Sequence, residues 1–226
     1  MATYNGNRFI KQQIDSIIDQ LGPDDELIIT DDGSRDETIH TVQDYHTIDS
    51  RIKLFNGPRK GITANFENGI KLATKEIIFL SDQDDVWTHN KVNEVLGCFI
   101  NDASLTCVLH DVEVVDEELH MIEPSFFAMR KSKSGLFNNI IKNSFMGSAM
   151  AFRREMVDYI IPIPKNIPLH DQWIGIMCSK HGKVKMLDKT LGFYRRHESN
   201  ASSFDHDSIS KMIGKRINLS IDIINR

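Results

Sequence analysis

The chain has 226 residues, 40% hydrophobic and 26% charged, the proportions of an ordinary globular protein with room for one sizeable core or two very small ones. A mean hydropathy of −0.31, with no apolar run approaching the ~18 residues of a membrane span, argues against an integral helical membrane protein. Its 27 Lys+Arg against 32 Asp+Glu leave a net charge of −5, so a polyphosphate backbone is not attracted globally and nucleic acid is not an expected partner. Cys98, Cys107 and Cys178 are widely spaced and odd in number, which suits buried thiols in a reducing compartment. The amino end lacks a basic segment followed by an apolar stretch, so no secretory signal is expected and a cytoplasmic location is.

In chain order, Phe9, Ile10, Ile14, Ile17, Ile18 and Leu21 recur every three or four residues and predict an amphipathic helix stopped by Gly22-Pro23. Glu26 to Thr30 reads as a buried strand that opens into the turn Asp31-Asp32-Gly33-Ser34. A helix from Asp36 to Tyr45, a strand from Ile52 to Phe55, a helix from about Thr63 to Ala73 and a strand from Glu76 to Ser81 follow. Such alternation predicts an α/β fold with a mostly parallel sheet, helices on both faces and ligands at the carboxyl ends of the strands. Beyond a helix from Lys91 to Phe99 the alternation loosens. Leu105 to Leu109 and Val112 to Val115 read as strands around His110-Asp111, and Met146 to Phe152 as another; a helix from Arg154 to Ile160 ends at Pro162-x-Pro164. His170-Asp171-Gln172-Trp173 opens a helix ended by Gly182, and Thr190 to Tyr194 is a strand running into Arg195-Arg196-His197.

Two acidic clusters sit at expected strand ends: Asp31-Asp32, and Asp82, Asp84 and Asp85. Neighbouring carboxylates at the end of an apolar strand are costly unless a cation or hydrogen-bond donors compensate them. The alternative is helix capping, by Asp82 or Asp84 ahead of Lys91 and by Asp36 ahead of Thr38. A calcium loop starting at Asp82 would need Gly where Trp87 stands, and a phosphatase-like nucleophile two residues before Asp32 meets Thr30. With no glycine-rich phosphate loop of the dinucleotide or P-loop type, phosphate binding would rest on a metal ion and backbone amides. No Cys or His residues stand at zinc-site spacing.

Seven segments, in order, resemble the family 2 glycosyltransferases, inverting enzymes of the GT-A fold, and among them a rhamnosyltransferase-like bacterial branch. They are Ala2-Thr3-Tyr4-Asn5-Gly6, Asp31-Asp32-Gly33-Ser34-x-Asp36, Gly61-Ile62-Thr63-x-Asn65-Phe66, Phe79 to Trp87, Gly147 to Arg153, His170-Asp171-x-Trp173, and Tyr194-Arg195-x-His197-x-x-Asn200. The resemblance implies a Rossmann-like, mostly parallel sheet flanked by helices, with a small antiparallel subsheet on the acceptor side. It implies a UDP- or dTDP-sugar donor and a hydroxyl acceptor on a cell-surface polysaccharide or lipid-linked glycan. Thr3, Tyr4 and Asn5 would hold the nucleotide, with Asp32 or Asp31 accepting from the base, a fitting partner for an imide N–H. Asn65, Asp82, Gln83 and Arg195 join that nucleotide-sugar set. Asp84, closing the Asp-x-Asp motif, and His197 would be ligands of Mg²⁺ or Mn²⁺, the former a hard oxygen donor suited to either ion.

Asp171 resembles the catalytic base that takes the acceptor hydroxyl's proton in a single displacement, with an N-cap of its helix as the simpler role. Trp173 is expected beside it, raising its pKa and shaping the acceptor pocket. Asp85, His110 and Asp111 are further pocket candidates. The family normally has several apolar residues of first strand before the Thr-Tyr-Asn segment, so the start is expected to be truncated within a domain spanning 1–204. Residues 205–226 read as an amphipathic basic helix with Ile209, Met212, Ile213, Ile217, Ile221 and Ile224 on one side and Lys211, Lys215 and Arg216 on another. Docking of that side on the core is expected, with pairing to a second copy or contact with an anionic membrane at its cytoplasmic face as alternatives. The rival functions are a nucleotidyltransferase and a non-catalytic nucleotide-sugar binding module.

Overall fold

The structure, a computed structural model, describes residues 1–165, 167, 169–198, 200, 209–224 and 226. The expected boundary at 204/205 lies outside the described residues. The first half alternates as expected: β1 (Ala2–Thr3), α1 (Ile10–Ile18), β2 (Leu27–Asp31), α2 (Thr38–Ile48), β3 (Ile52–Asn56), α3 (Ile62–Leu72) and β4 (Ile77–Phe79). β5 (Val86–Trp87) and α4 (Lys91–Asn101) lead into β6 (Leu105–Val115) and β7 (Met121–Glu123), then the short helices α5 (Phe126–Arg130) and α6 (Leu136–Ile141). β8 (Met150–Arg153), α7 (Val157–Ile160), α8 (His170–His181), β9 (Lys183–Arg195) and α9 (Ile209–Ile224) complete it.

The strands form two sheets. β1, β2 and β3 are parallel neighbours. The other sheet runs β4-β8-β6-β9-β5 with β7 on β6, and its only parallel pair among the described residues is β6 with β9. The α/β class is present, and the antiparallel part is the larger of the two sheets. One core packs Ile10, Ile14 and Ile17 of α1 against Leu27 and Ile29 of β2. A larger one gathers Phe66 and Ile70 of α3, Phe152 of β8, and Trp173, Ile174 and Met177 of α8. Spacing of three and four residues puts these helical side chains on one stripe, and burying such stripes is the main driving force for the fold.

β1 is two residues long. Beside it an apolar cavity of about 400 Å³, lined by residues including Leu27, Ile28, Ile70, Ile78, Leu80 and Trp87, lies between the two sheets. β6 is one continuous strand, so His110 and Asp111 stand inside it and not at a strand end; the register shift at that point absorbs what the sequence suggested was a break. Met146 to Phe152 begins as a 3-10 turn at Gly147–Ala149 before β8. Among the described residues no helix is long and apolar enough to cross a membrane.

Candidate functional site

The carboxyl ends of β2 and β4 open on the same side, and the segments at residues 3–5, 31–34 and 82–85 meet there. Asp31 accepts from the amides of Gly33 and Ser34 and from the hydroxyls of Ser34 and Thr3. Gly33 adopts φ +100°, which favours glycine and lets the turn curl its amide back to that carboxylate. Asp31 therefore ties β1 to the turn after β2. Asp32, only partly buried, accepts from the amides of Arg59, Lys60 and Gly61. Asn65 is buried and donates to the carbonyls of Thr30 and Thr3, fastening α3 to both strands. Tyr4 is exposed, and its backbone makes a two-way pair with the Gln83 side chain, which joins the Tyr-Asn segment to the acidic loop. The amides of Asn5, Gly6 and Asn7 are each taken up by Ser34, Thr38 and Asp36 side chains. That loop presents no amide cradle for a triphosphate, contrary to what a nucleotidyltransferase needs.

The capping alternative for Asp82 and Asp84 is not realised, since Asn90 precedes α4 and no side chain caps it. Asp36 does accept from the Thr38 amide. The carboxylate of Asp84 instead meets Nε2 of His197 at 2.9 Å, joining positions 113 residues apart in the chain. Asn200 also approaches that nitrogen at 3.2 Å, and the ring lies against Phe9. Burial, reinforced by the charges of Asp85, Asp84 and Asp171, pushes the Asp82 carboxyl far above the usual carboxylate range. Burial and Asp84 raise Asp85 to about 7. A carboxylate-rich loop of this kind, faced by an imidazole, fits a hard divalent cation: Asp84 and His197 could offer it oxygen and nitrogen, and added positive charge would relieve the repulsion.

Two cations, Arg195 and Lys91, are buried beside the acidic loop. Arg195, buried, donates to the Asp84 carbonyl at 2.8 Å and to Gln12 Oε1 at 2.6 Å; it also donates to the Glu117 carbonyl, and its guanidinium lies over Phe9. Nε, Nη1 and Nη2 each make a bond inside the protein and the side chain is buried, which suits positioning of the acidic loop more than an outward reach to phosphates. Asp85 is likewise buried and accepts from the Arg195 amide, which removes it from the open acceptor pocket. Sequence reasoning missed Lys91. It is buried, donates to the Ser148 carbonyl at 2.8 Å, and lies 3.9 Å from the centre of the Trp87 ring. Burial lowers its pKa to about 7 while Asp85 and Asp82 oppose that shift. A lysine in the first turn of a helix ordinarily reads as surface, and only its distance from Asp85 in the fold gives it away. Gln13, fully buried, was missed as well; it donates to Ser81 and to the Asp82 carbonyl.

Asp171 is in the first turn of α8 and does not cap it, because the helix begins one residue earlier. Its carboxylate accepts from the Gln172 amide at 2.5 Å and from Asn143 Nδ2 at 3.4 Å, with the Gly147 amide also directed to it. Burial raises its pKa to about 6 against those donors. Gly147 permits this approach, since a Cβ there would stand 3.3 Å from His170 Nε2. Trp173 is not beside Asp171. It is 0% exposed in the main core, with Nε1 donating to the Ile160 carbonyl. Residues two apart on a helix point in opposite directions, so Trp173 faces inward where Asp171 faces the site. His110 is buried with its pKa far below the usual imidazole range, and Asp111 accepts from Val112, Phe127 and Ser125, pinning α5 to β6.

The family model described as glycosyl transferase family 2 matches residues 1–161. A protein of Nostoc sp. described as an uncharacterised glycosyltransferase is 27% identical over 208 residues, covering 88% of this chain and 64% of that protein. An Escherichia coli enzyme, UDP-Glc:alpha-D-GlcNAc-diphosphoundecaprenol beta-1,3-glucosyltransferase, is 26% identical over 211 residues, covering 90% of this chain and 78% of its own. Among solved structures, Staphylococcus aureus TarS residues 1–349 in complex with UDP-GlcNAc superpose with a TM-score of 0.78 at 19% identity, over 99% of this chain and 65% of that one. The chain thus spans just under two thirds of the Nostoc protein and of the TarS structure.

Proposed function

The chain belongs to glycosyl transferase family 2 and has the GT-A fold, and on that premise we propose that it is an inverting, metal-dependent transferase of a UDP- or dTDP-linked sugar. The acceptor is a hydroxyl of a cell-surface polysaccharide or lipid-linked glycan, and the reaction takes place in the cytoplasm. The observation that carries this reading is the Asp84–His197 contact at 2.9 Å on a loop whose Asp82 feels the charge of Asp171. In this reading the ligands for a cation and the base of raised pKa serve one site. The names of the E. coli and S. aureus relatives, with their UDP-sugars and a diphosphoundecaprenol acceptor, support the donor and acceptor classes.

In this reading Tyr4, Asn5 and the partly open Asp32 lie along the nucleotide, with Thr3, Asp31, Asn65 and Gln83 holding that wall in shape. A bound Mg²⁺ or Mn²⁺ at Asp84 and His197 would offset the negative charge that develops on the departing nucleoside diphosphate. Asp171 accepts the acceptor hydroxyl's proton as that oxygen bonds to the anomeric carbon. Attack comes from the face opposite the diphosphate, whose bond to the sugar breaks, so the configuration inverts. The amides of Gly147 and Gln172 and the Asn143 side chain fix the carboxylate, and a pKa of about 6 leaves it ionised yet basic near neutrality.

The test is release of nucleoside diphosphate from a panel of UDP-glucose, UDP-galactose, UDP-N-acetylglucosamine and dTDP-rhamnose with Mn²⁺ or Mg²⁺. Release from one donor, lost in Asp84→Ala and in Asp171→Ala, is expected. Absence of metal-dependent binding to every donor by calorimetry would overturn the reading. A binding module without catalysis would instead leave turnover-linked signals unchanged in Asp171→Asn.

A further inference from the structure

Among its described side chains, the carboxyl-terminal helix does not dock by the side its sequence favours. Leu219 and Ile223 are buried in the main core, whereas Ile217, Ile221 and Ile224, at spacings of four and three and hence on one helical face, point to solvent. Residues 205–208 and the side chains of 209–213 and 215 lie outside the described part. Beside this ridge, α6 exposes Phe137 and Ile141, and Arg216 Nη2 donates to the Ile141 carbonyl at 2.6 Å, which joins the two helices. These five side chains are between 52% and 81% exposed. Scattered apolar residues are ordinary on a surface, but five large ones on two touching helices make a patch that implies an occupant.

Charge identifies the occupant. Residues 125–226 carry 17 Lys+Arg against 8 Asp+Glu, while residues 1–124 carry 10 against 24. From Pro124 to Arg154 there is no acid at all. Around the patch, Lys142, Lys180, Arg216 and Arg226 donate to the carbonyls of Arg130, Ile223, Ile141 and Pro162. None of them meets a carboxylate among the described residues, and neither do the exposed Lys131 and Lys133. An apolar ridge rimmed by unneutralised cations on an otherwise acidic protein complements an anionic lipid surface, where apolar side chains enter the acyl boundary and each basic group adds about fivefold in affinity.

We propose that the α6–α9 face docks the protein on an anionic bilayer. The position matters for the site: Gln172 Nε2 donates to the Asn139 carbonyl on α6, and Asn143, just after α6, reaches Asp171. Docking there brings the mouth beside Asp171 to the membrane. The inference stands on exposure and charge, and does not depend on the reaction proposed above.

The test is co-sedimentation of the full chain with vesicles of phosphatidylcholine alone or with roughly 30% phosphatidylglycerol. Binding only to the anionic vesicles, weakening at least tenfold between about 0.1 M and about 0.5 M salt, is expected. Ile217→Ser/Ile221→Ser and Lys131→Glu/Lys142→Glu should each reduce it at least tenfold with unchanged circular dichroism and melting temperature, since all four side chains are exposed. No binding to anionic vesicles, or wild-type binding by both variants, would overturn the proposal. So would a concentration-dependent dimer in analytical ultracentrifugation that the isoleucine variant abolishes without vesicles present, because the face would then be an interface between copies.

Discussion

Replacing Asp171 by Asn should make the protein more stable at neutral pH while removing its transfer activity. Burial holds this carboxyl at about 6 against an ordinary 3.8, and a shift of about two units corresponds to roughly 3 kcal/mol at 1.36 kcal/mol per unit. Below about pH 4 the proton is bound in both folded and unfolded chains, and the buried carboxyl costs nothing extra. Between about pH 4 and 6 the unfolded chain ionises while the folded one holds its proton, so stability falls as pH rises, and the full cost persists above about 6. The side chain keeps some water access, so the recoverable part is about 1–2 kcal/mol. Asn keeps an acceptor oxygen for the Gln172 amide and never ionises. Urea unfolding at pH 7.5 and pH 4 should show the variant more stable at the first and equal at the second, with donor binding unchanged and turnover down about 10²–10⁴-fold. Wild-type turnover should itself decline about tenfold per unit well below pH 6 as the base protonates. A variant less stable than wild type at pH 7.5, a gap independent of pH, or retained turnover would refute the assignment.

Three further outcomes follow from the geometry. Asp84→Ala and His197→Ala should each weaken Mn²⁺-dependent donor binding about 10–100-fold in calorimetry, with EDTA removing the difference from wild type; equal affinities would dismiss them as ligands. Lys91→Met removes an amine that burial lowers to about 7. Between about pH 10 and pH 7 the unfolded chain takes up the lysine proton that the folded chain resists, so the variant's stability relative to wild type should rise as pH falls through that range in urea unfolding; a pH-independent difference would point to packing instead. Gly175→Ala puts a methyl 2.4 Å from the Phe145 ring and should cost about 1–3 kcal/mol through overpacking, read as a lower melting temperature; an unchanged one would show that Phe145 can move aside.

The sequence by itself determined the elements of the first half and the identity of the acidic strand ends. Ile14 and Ile17 on α1, and Ile28 and Ile29 on β2, follow patterns in which each helix or strand declares its buried face locally. Asp31 and Asp84 were legible for a related reason, because an acid beside an apolar run is conspicuous wherever the chain goes, whereas the role of Asp171 came only through the family resemblance. Only the tertiary structure decided which of these groups remain open. It closed Asp31 with four donors and Asp85 with the Arg195 amide, turned Trp173 into the core, and brought His197 to Asp84 across 113 residues. It also chose which described side chains of α9 dock, burying Leu219 and Ile223 and leaving Ile217, Ile221 and Ile224 exposed. Such outcomes depend on which partner fills the space opposite each side chain. That is a property of packing between distant segments, to which no local period or spacing gives access.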